Sequence, residues 1–318
     1  MEKVKPFVKW AGGKGSLLQQ LNNYYPIELK DGYIDTYIEP FVGGGAVLID
    51  ILQNYKIKNA YAFDINKDLI NCYNVIKSNV KELIEELKNK QDEFIDLTME
   101  NRQKYFYKIR DMYNSYEINE NELNIKRASE FIFLNRTCFN GLYRVNSQGK
   151  FNVPCGKYKN PTICDSINLI NLSLLIKNVT FKYGDYKQSK KYVKNNTFIY
   201  FDPPYRPLPK TNSFTSYMKE DFNDNNQNEL SKYYAVLSSS GAKVMLSNSN
   251  PKNTDPNDLF FDNLYKDFNI NEVYAKRMIN ADSKGRGAIS ELLITNYDNT
   301  EINECIVEKS FMKIAVSN

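Results

Sequence analysis

The chain has 318 residues, a net charge of +4 and no histidine. That absence removes Ser-His-Asp, Cys-His and histidine general-base mechanisms together, and five cysteines without a CxxC pair supply no ordinary zinc set, so no metal is expected. No apolar run approaches the ~20 residues of a membrane span, and Met1 to Pro6 lacks a signal peptide's apolar core; reduced cysteines, a cytoplasmic location and no membrane partner are expected.

The first distinctive stretch is Phe7-Val8-Lys9-Trp10-Ala11-Gly12-Gly13-Lys14-Gly15-Ser16. It invites a P-loop reading and fails it. The pattern needs glycine where Val8 stands, and serine or threonine where Gly15 stands. Lys14 is therefore not expected on a triphosphate. Trp10, the only tryptophan, reads either as core or as a ligand wall beside glycines and a lysine.

A buried strand is predicted over 36–41. It runs into Glu39-Pro40-Phe41-Val42-Gly43-Gly44-Gly45-Ala46 and a helix over 46–54. Three glycines let backbone approach a ligand at the carboxyl end of a strand, though the spacing is not GxGxxG. A second strand, 60–64, ends at Asp64, about twenty residues on. An acid there suits a ribose hydroxyl pair, or it caps the helix predicted over 66–77.

Between about residues 78 and 170 the strand-helix rhythm stops. Residues 80–88 and 123–134 have helical spacing. From Asn135 to Cys164 there are five cations (Arg136, Arg144, Lys150, Lys157, Lys159) and no acid. This is either a solvated face or a surface for an acidic partner.

Strands return at 179–183, 197–201 and 242–247, with a helix over 225–239. Runs at 271–278 and 288–297, joined by the glycine-rich segment 282–287, predict a closing antiparallel hairpin. The alternation argues for an α/β, doubly wound sheet. Residues 188–196 and the stretch after Asn248 read as surface loops.

The strand at 197–201 stops in Asp202-Pro203-Pro204-Tyr205. Asp202 can accept a hydrogen bond from an exocyclic NH2. Pro203 keeps its carbonyl and has no N–H, so it offers a second acceptor without a competing donor. Tyr205 offers a π-face for stacking, and Pro204 stiffens the turn. Two acceptors aimed at one NH2 draw its lone pair out of conjugation and make the nitrogen a nucleophile.

Four motifs now stand in order: Lys-Trp-Ala-Gly-Gly-Lys, Glu-Pro-Phe-Val-Gly-Gly-Gly-Ala, Phe-Asn-Gly-Leu-Tyr-Arg-Val-Asn with Phe-Asn-Val-Pro, and Asp-Pro-Pro-Tyr. Together they resemble the Dam-type DNA adenine-N6 methyltransferases, including methylases of GATC restriction-modification systems, across nearly the whole chain. The resemblance implies a Rossmann-like methyltransferase sheet of seven strands, the last hairpin antiparallel. A mostly helical target-recognition insertion over 78–170 would separate catalytic parts over 1–77 and 171–318.

It also implies S-adenosylmethionine as cofactor, held by Trp10, Lys14, Phe41, the turn Gly43, Gly44 and Gly45, the ribose acid Asp64, and Gly184-Asp185-Tyr186 at the adenine. Asp202 would lie between the methionyl amino group and the target base. Phe139 and Asn140 would enter the duplex near a flipped base, and Arg144 would read a guanine, its planar fork matching O6 and N7. Leu142 and Pro154 would pack on a thymine methyl, and Lys9 and Tyr158 would touch the first base pair. Lys150, Lys157 and Lys159 read as phosphate contacts or as solvated lysines.

The implied partner is double-stranded DNA. A cognate restriction endonuclease would be a functional rather than a physical partner, and monomeric action is expected. Competing readings are an RNA methylase, a cytosine-N4 methylase, and a DNA-binding protein that has lost its chemistry.

Overall fold

A computed structural model describes residues 3–119, 123–206, 222–275 and 289–298. Seven strands form one mixed sheet: β1 (Thr36–Glu39), β2 (Asn59–Asp64), β3 (Val179–Tyr183), β4 (Thr197–Phe201), β5 (Lys243–Ser249), β6 (Asn269–Ala275) and β7 (Ile289–Thr295). Their order is β3-β2-β1-β4-β5-β7-β6. Parallel pairs join β2 to β3, β1 to β4 and β4 to β5, and β7 runs antiparallel to both β5 and β6. This is the doubly wound α/β sheet with a closing antiparallel hairpin that the apolar runs predict. The glycine-rich turn at 282–287 lies outside the described residues.

Every residue of β4 is buried, as a central parallel strand covered on both faces requires. The strand order reverses between β1 and β4, which pair as Thr36–Thr197, Tyr37–Phe198 and Ile38–Ile199. In an open parallel sheet the crevice beyond the carboxyl ends at such a reversal is where ligands bind. Glu39-Pro40 and Asp202 follow the two strands there.

The helices are α1 (Leu18–Asn23), α2 (Ile27–Lys30), α3 (Ala46–Asn54), α4 (Lys67–Ser78), α5 (Val80–Ile95), α6 (Met99–Asn114), α7 (Ile125–Thr137), α8 (Ser166–Leu175), α9 (Asp224–Ser239) and α10 (Phe260–Leu264). Several starts are set by side chains that satisfy orphan N–H groups. Asn66, Thr98, Asn124 and Asp165 cap α4, α6, α7 and α8, and Asn223 forms a capping box with Asn226 on α9.

The chain divides into two units. One holds Met1–Gly13, Phe41–Asn54 and Ala60–Gln188, and the other Lys14–Pro40, Tyr55–Asn59 and Ser189–Asn318. In the first, α7 is buried along most of its length. The Arg127 guanidinium makes two bonds to the Asp68 carboxylate, at 2.8 and 2.9 Å, and its remaining nitrogen donates to the carbonyls of Tyr113 and Tyr116. One buried arginine thus ties α4, α6 and α7.

Two stretches differ from the sequence reading, and one helix of the mostly helical insertion was not singled out in it. That helix is α6, where buried Arg102 takes one place on the inward stripe of Phe106, Ile109 and Tyr113. Its guanidinium is satisfied by the carbonyls of Phe94, Ile95, Tyr158 and Lys159. Residues Tyr186–Tyr192 form a 3-10 helix rather than a loop, and Ser189 within it is fully buried. The stretch after Asn248 is ordered by side-chain hydrogen bonds. Asn250 is buried, with its amide donating to Glu272 and Ser290, and Phe261 of α10 is fully buried. Asparagine-rich composition reads as loop, yet here the amides replace backbone partners.

Candidate active site

Beyond β4, the unit built on Lys14–Pro40 and Ser189 onward gathers a charged cluster. Lys14 is buried, and its Nζ lies 2.8 Å from Asp202 Oδ1 and 4.7 Å from the Tyr205 ring centroid. Lys14, expected among the cofactor contacts, is therefore paired with the first residue of the tetrapeptide. Burial pushes the Asp202 carboxyl up. The Lys14 ammonium pulls it back down, and Glu291 adds to the rise.

The tetrapeptide and the residue after it are held from two elements. Gln227 of α9 donates to the Pro204 carbonyl at 3.1 Å and accepts from Asn248 at 3.1 Å. Asn248 accepts from the Arg206 N–H, and Ser249 donates to the Arg206 carbonyl at 2.9 Å. The Arg206 side chain pairs with Asp224 and Asp258 and lies over Phe260. Gln227, Asn248, Ser249 and Arg206 were missed at the sequence level. The one available signal was that three of them lie on the strand and helix next to β4.

In the other unit, Asp64 ends β2. It does not cap α4, a task that falls to Asn66. One Asp64 oxygen accepts from the Gly43 N–H at 3.0 Å and the other from the Asn66 N–H at 2.8 Å. Burial outweighs these bonds and pushes its carboxyl up to about 6. Carboxylate oxygens each accept more than one hydrogen bond, so Asp64 keeps acceptor capacity for hydroxyl donors beyond the N–H groups of Gly43, Asn66 and Ile65.

The glycines at 43–45 are demanded by neighbouring side chains. A Cβ on Gly43, at φ +45°, would stand 2.8 Å from the Trp10 ring, and one on Gly45 would stand 2.5 Å from the Tyr73 hydroxyl. Trp10 stacks on Tyr143 at 5.7 Å and on Phe131 at 6.4 Å. It is half-buried, at once part of an aromatic stack and a wall over the turn. Phe41 stacks on Tyr186 at 5.3 Å. Asp185 is exposed and accepts from the Lys187 N–H. The carboxylate, the stacked aromatic pair and the tight turn form a donor set that fits a nucleoside.

The same unit carries the expected reading residues. After α7 the chain turns through Phe139-Asn140-Gly141. Phe139 is 45% exposed, and Asn140 is the only described non-glycine residue at positive φ, 55°. The Phe139 N–H donates to the Pro154 carbonyl at 2.9 Å, so Pro154 and Leu142 flank one turn. A Cβ on Gly141 would meet the Lys9 side chain at 2.4 Å. Lys9 Nζ lies 4.3 Å from the Tyr158 ring centroid, bringing those two residues together. Arg144 donates to the Asn152 side chain at 2.7 Å and to its carbonyl at 3.3 Å, across a small hairpin bridged at Val145 and Phe151.

Buried Asn135 ties Lys9 to the turn at Gly141. It accepts from the Lys9 N–H and donates to the carbonyls of Lys9 and Gly141, at 2.8 to 2.9 Å. Sequence reading missed it. Arg136, counted above with the basic surface, instead donates to the Phe7 carbonyl, and burial lowers its proton affinity. Lys150, Lys157 and Lys159 are exposed. Among the described residues no helix is long and apolar enough to cross a membrane. No cluster of three or more His, Cys, Asp or Glu among them could hold a metal.

Comparison with known proteins meets this geometry. Residues 10–279 match the family described as D12 class N6 adenine-specific DNA methyltransferase. The Type II methyltransferase M.MjaIII of Methanocaldococcus jannaschii is 54% identical over 297 residues, covering 93% of this chain and 100% of that protein. The Type II methyltransferase M1.LlaDCHI of Lactococcus lactis subsp. cremoris is 38% identical, covering 93% and 96%. The DNA adenine methylase of Serratia marcescens is 33% identical, covering 92% and 98%. Methyltransferases of this kind use S-adenosylmethionine as methyl donor. The chain therefore belongs to the D12 class of N6 adenine-specific DNA methyltransferases.

Proposed function

We propose that this enzyme methylates N6 of an adenine flipped out of duplex DNA within GATC, as a restriction-modification or Dam-type methylase. The observation that carries the reading is the Asp202 carboxylate beyond β4, paired with buried Lys14 at 2.8 Å and opening a tetrapeptide held by Gln227 at Pro204 and by Ser249 just past its end.

Lys14 engages Oδ1 of Asp202, which leaves Oδ2 to accept from the adenine amino group. The Pro203 carbonyl accepts the second amino hydrogen, and Tyr205 stacks on the base. The nitrogen lone pair is freed by these two acceptors, and orientation supplies most of the rate. When bound, S-adenosylmethionine supplies a sulfonium methyl, an electrophile that needs no acid catalyst. The methylated amino group carries positive charge and sheds its proton readily, which suits a chain without histidine.

Asp64 would hold the cofactor ribose, and Phe41 with Tyr186 and Asp185 its adenine. Trp10 and the turn at Gly43, Gly44 and Gly45 would close around it. Extruding the adenine costs a few kcal/mol, offset by stacking and by filling the gap. Exposed Phe139 and Asn140 would enter the duplex, while Arg144 reads guanine, Leu142 and Pro154 the thymine methyl, and Lys9 with Tyr158 the first base pair. Lys150, Lys157 and Lys159 would contact phosphate. We propose a cytoplasmic monomer whose partner is duplex DNA, with any cognate endonuclease acting independently.

The test is nucleoside analysis after methyl transfer to duplex DNA and, separately, to RNA. N6-methyladenine from the duplex, lost in Asp202→Ala with duplex affinity within about threefold, is the expected result. N4-methylcytosine, an RNA product, or an Asp202→Ala variant with normal turnover would overturn the reading.

A further inference from the structure

Tyr205 follows two prolines that fix their own backbone, but its ring can still turn about two side-chain torsions. Stacking on a base demands one ring plane. The structure supplies a restraint: the Tyr205 hydroxyl donates to Glu291 Oε2 at 2.5 Å. Glu291 lies on β7, opposite Ser249 of β5 in the antiparallel register. Ser249 in turn donates to the carbonyl of Arg206, the residue after Tyr205. Two paired sheet positions thus hold the tyrosine, one by its side chain and one through the following peptide.

We propose that Glu291 is a positioning residue for methyl transfer, acting through the Tyr205 hydroxyl to fix the ring on which the target base stacks. The inference rests on the proposed role of Tyr205 and extends it to a strand that carries no sequence motif. A phenol donating to a carboxylate makes a short, strong bond, and sheet strands are better supports for a site than loops. Burial, with Asp202 and Glu291 beside it, holds the Tyr205 phenol well above its ordinary range, so the proton stays on the tyrosine.

The test is steady-state kinetics on the full chain with Glu291→Ala, Glu291→Gln, Tyr205→Phe and the double variant Glu291→Ala/Tyr205→Phe. Glu291→Ala should lower kcat about tenfold or more while KM for duplex and for S-adenosylmethionine stays within about threefold. Glu291→Gln, whose amide oxygen still accepts, should recover most of kcat. The double variant should be no slower than Tyr205→Phe by more than about twofold, because the two residues act as one unit. A normal kcat in Glu291→Ala, or losses that multiply in the double variant, would overturn the proposal. If Glu291→Ala does not fold, Tyr205→Phe decides, and its normal kcat would also overturn it. Product nucleosides from the same reactions separate the two ideas. A methylcytosine product would defeat the assignment of the base, while the coupling of Glu291 to Tyr205 would still be read from kcat.

Discussion

Asp64 is held by N–H groups of Gly43 and Asn66, yet burial pushes its carboxyl up to about 6. An unfolded aspartate titrates near ~3.9. Between those values the folded protein binds more protons than the unfolded chain. This group's contribution to stability is therefore full below about pH 4 and is lost as pH rises through about 6. Ligand binding has the opposite sign, because only the ionised carboxylate accepts from two hydroxyls. Affinity for S-adenosylmethionine should fall as pH drops below about 6, by up to about tenfold per unit. Calorimetric binding measured from pH 5 to 8 should show this slope in the native protein and lose it in Asp64→Asn; a flat native profile would remove Asp64 from the site. At Arg144, the bonds to Asn152 aim a planar fork. Arg144→Ala should cost about 1–3 kcal/mol of discrimination at one base pair, read from cognate and singly substituted duplexes. Equal losses on all sequences would make it a phosphate contact. The residue types at these positions were legible in the chain. What escaped were their supports, Asn135, Asn152, Gln227 and Glu291, because a polar side chain whose partner is distant in the chain leaves no local signature.

At the scale of elements, the unit containing α4 to α8 depends on a buried arginine. Arg127 and Asp68 make a two-pronged pair with side chains 6% and 7% exposed. Removing one partner strands a buried charge, so Arg127→Met should destabilise by about 3–5 kcal/mol in urea unfolding. Adding Asp68→Leu should recover part of that loss. A single variant within about 0.5 kcal/mol of wild type would contradict the account. Strand positions were readable because β4 and its neighbours are short apolar runs bounded by turn residues, as in Thr197–Phe201. Helix α6 was not singled out, because Arg102 interrupts its inward stripe, its donors satisfied by four carbonyls from outside the helix. Helix α5 was read too short, since the polar run before Phe94 hides that its last turn is still packed.

For the whole molecule, the sheet order β3-β2-β1-β4-β5-β7-β6 places the reversal at the strand that runs into Asp202-Pro203-Pro204-Tyr205. The alternation of apolar runs with helices predicts a doubly wound sheet, but not its strand order. The closing hairpin was visible because two strand-like runs flank a glycine-rich segment of the sequence. The measurement that tests the central claim most directly is transfer of labelled methyl from S-adenosylmethionine to two duplexes, one with a single GATC and one with that site scrambled. Label on the GATC duplex alone, recovered as N6-methyladenine, is the predicted result. Equal label on both would contradict the reading of GATC by the Phe139–Tyr158 segment, and label on neither would contradict the assignment of duplex adenine as the acceptor.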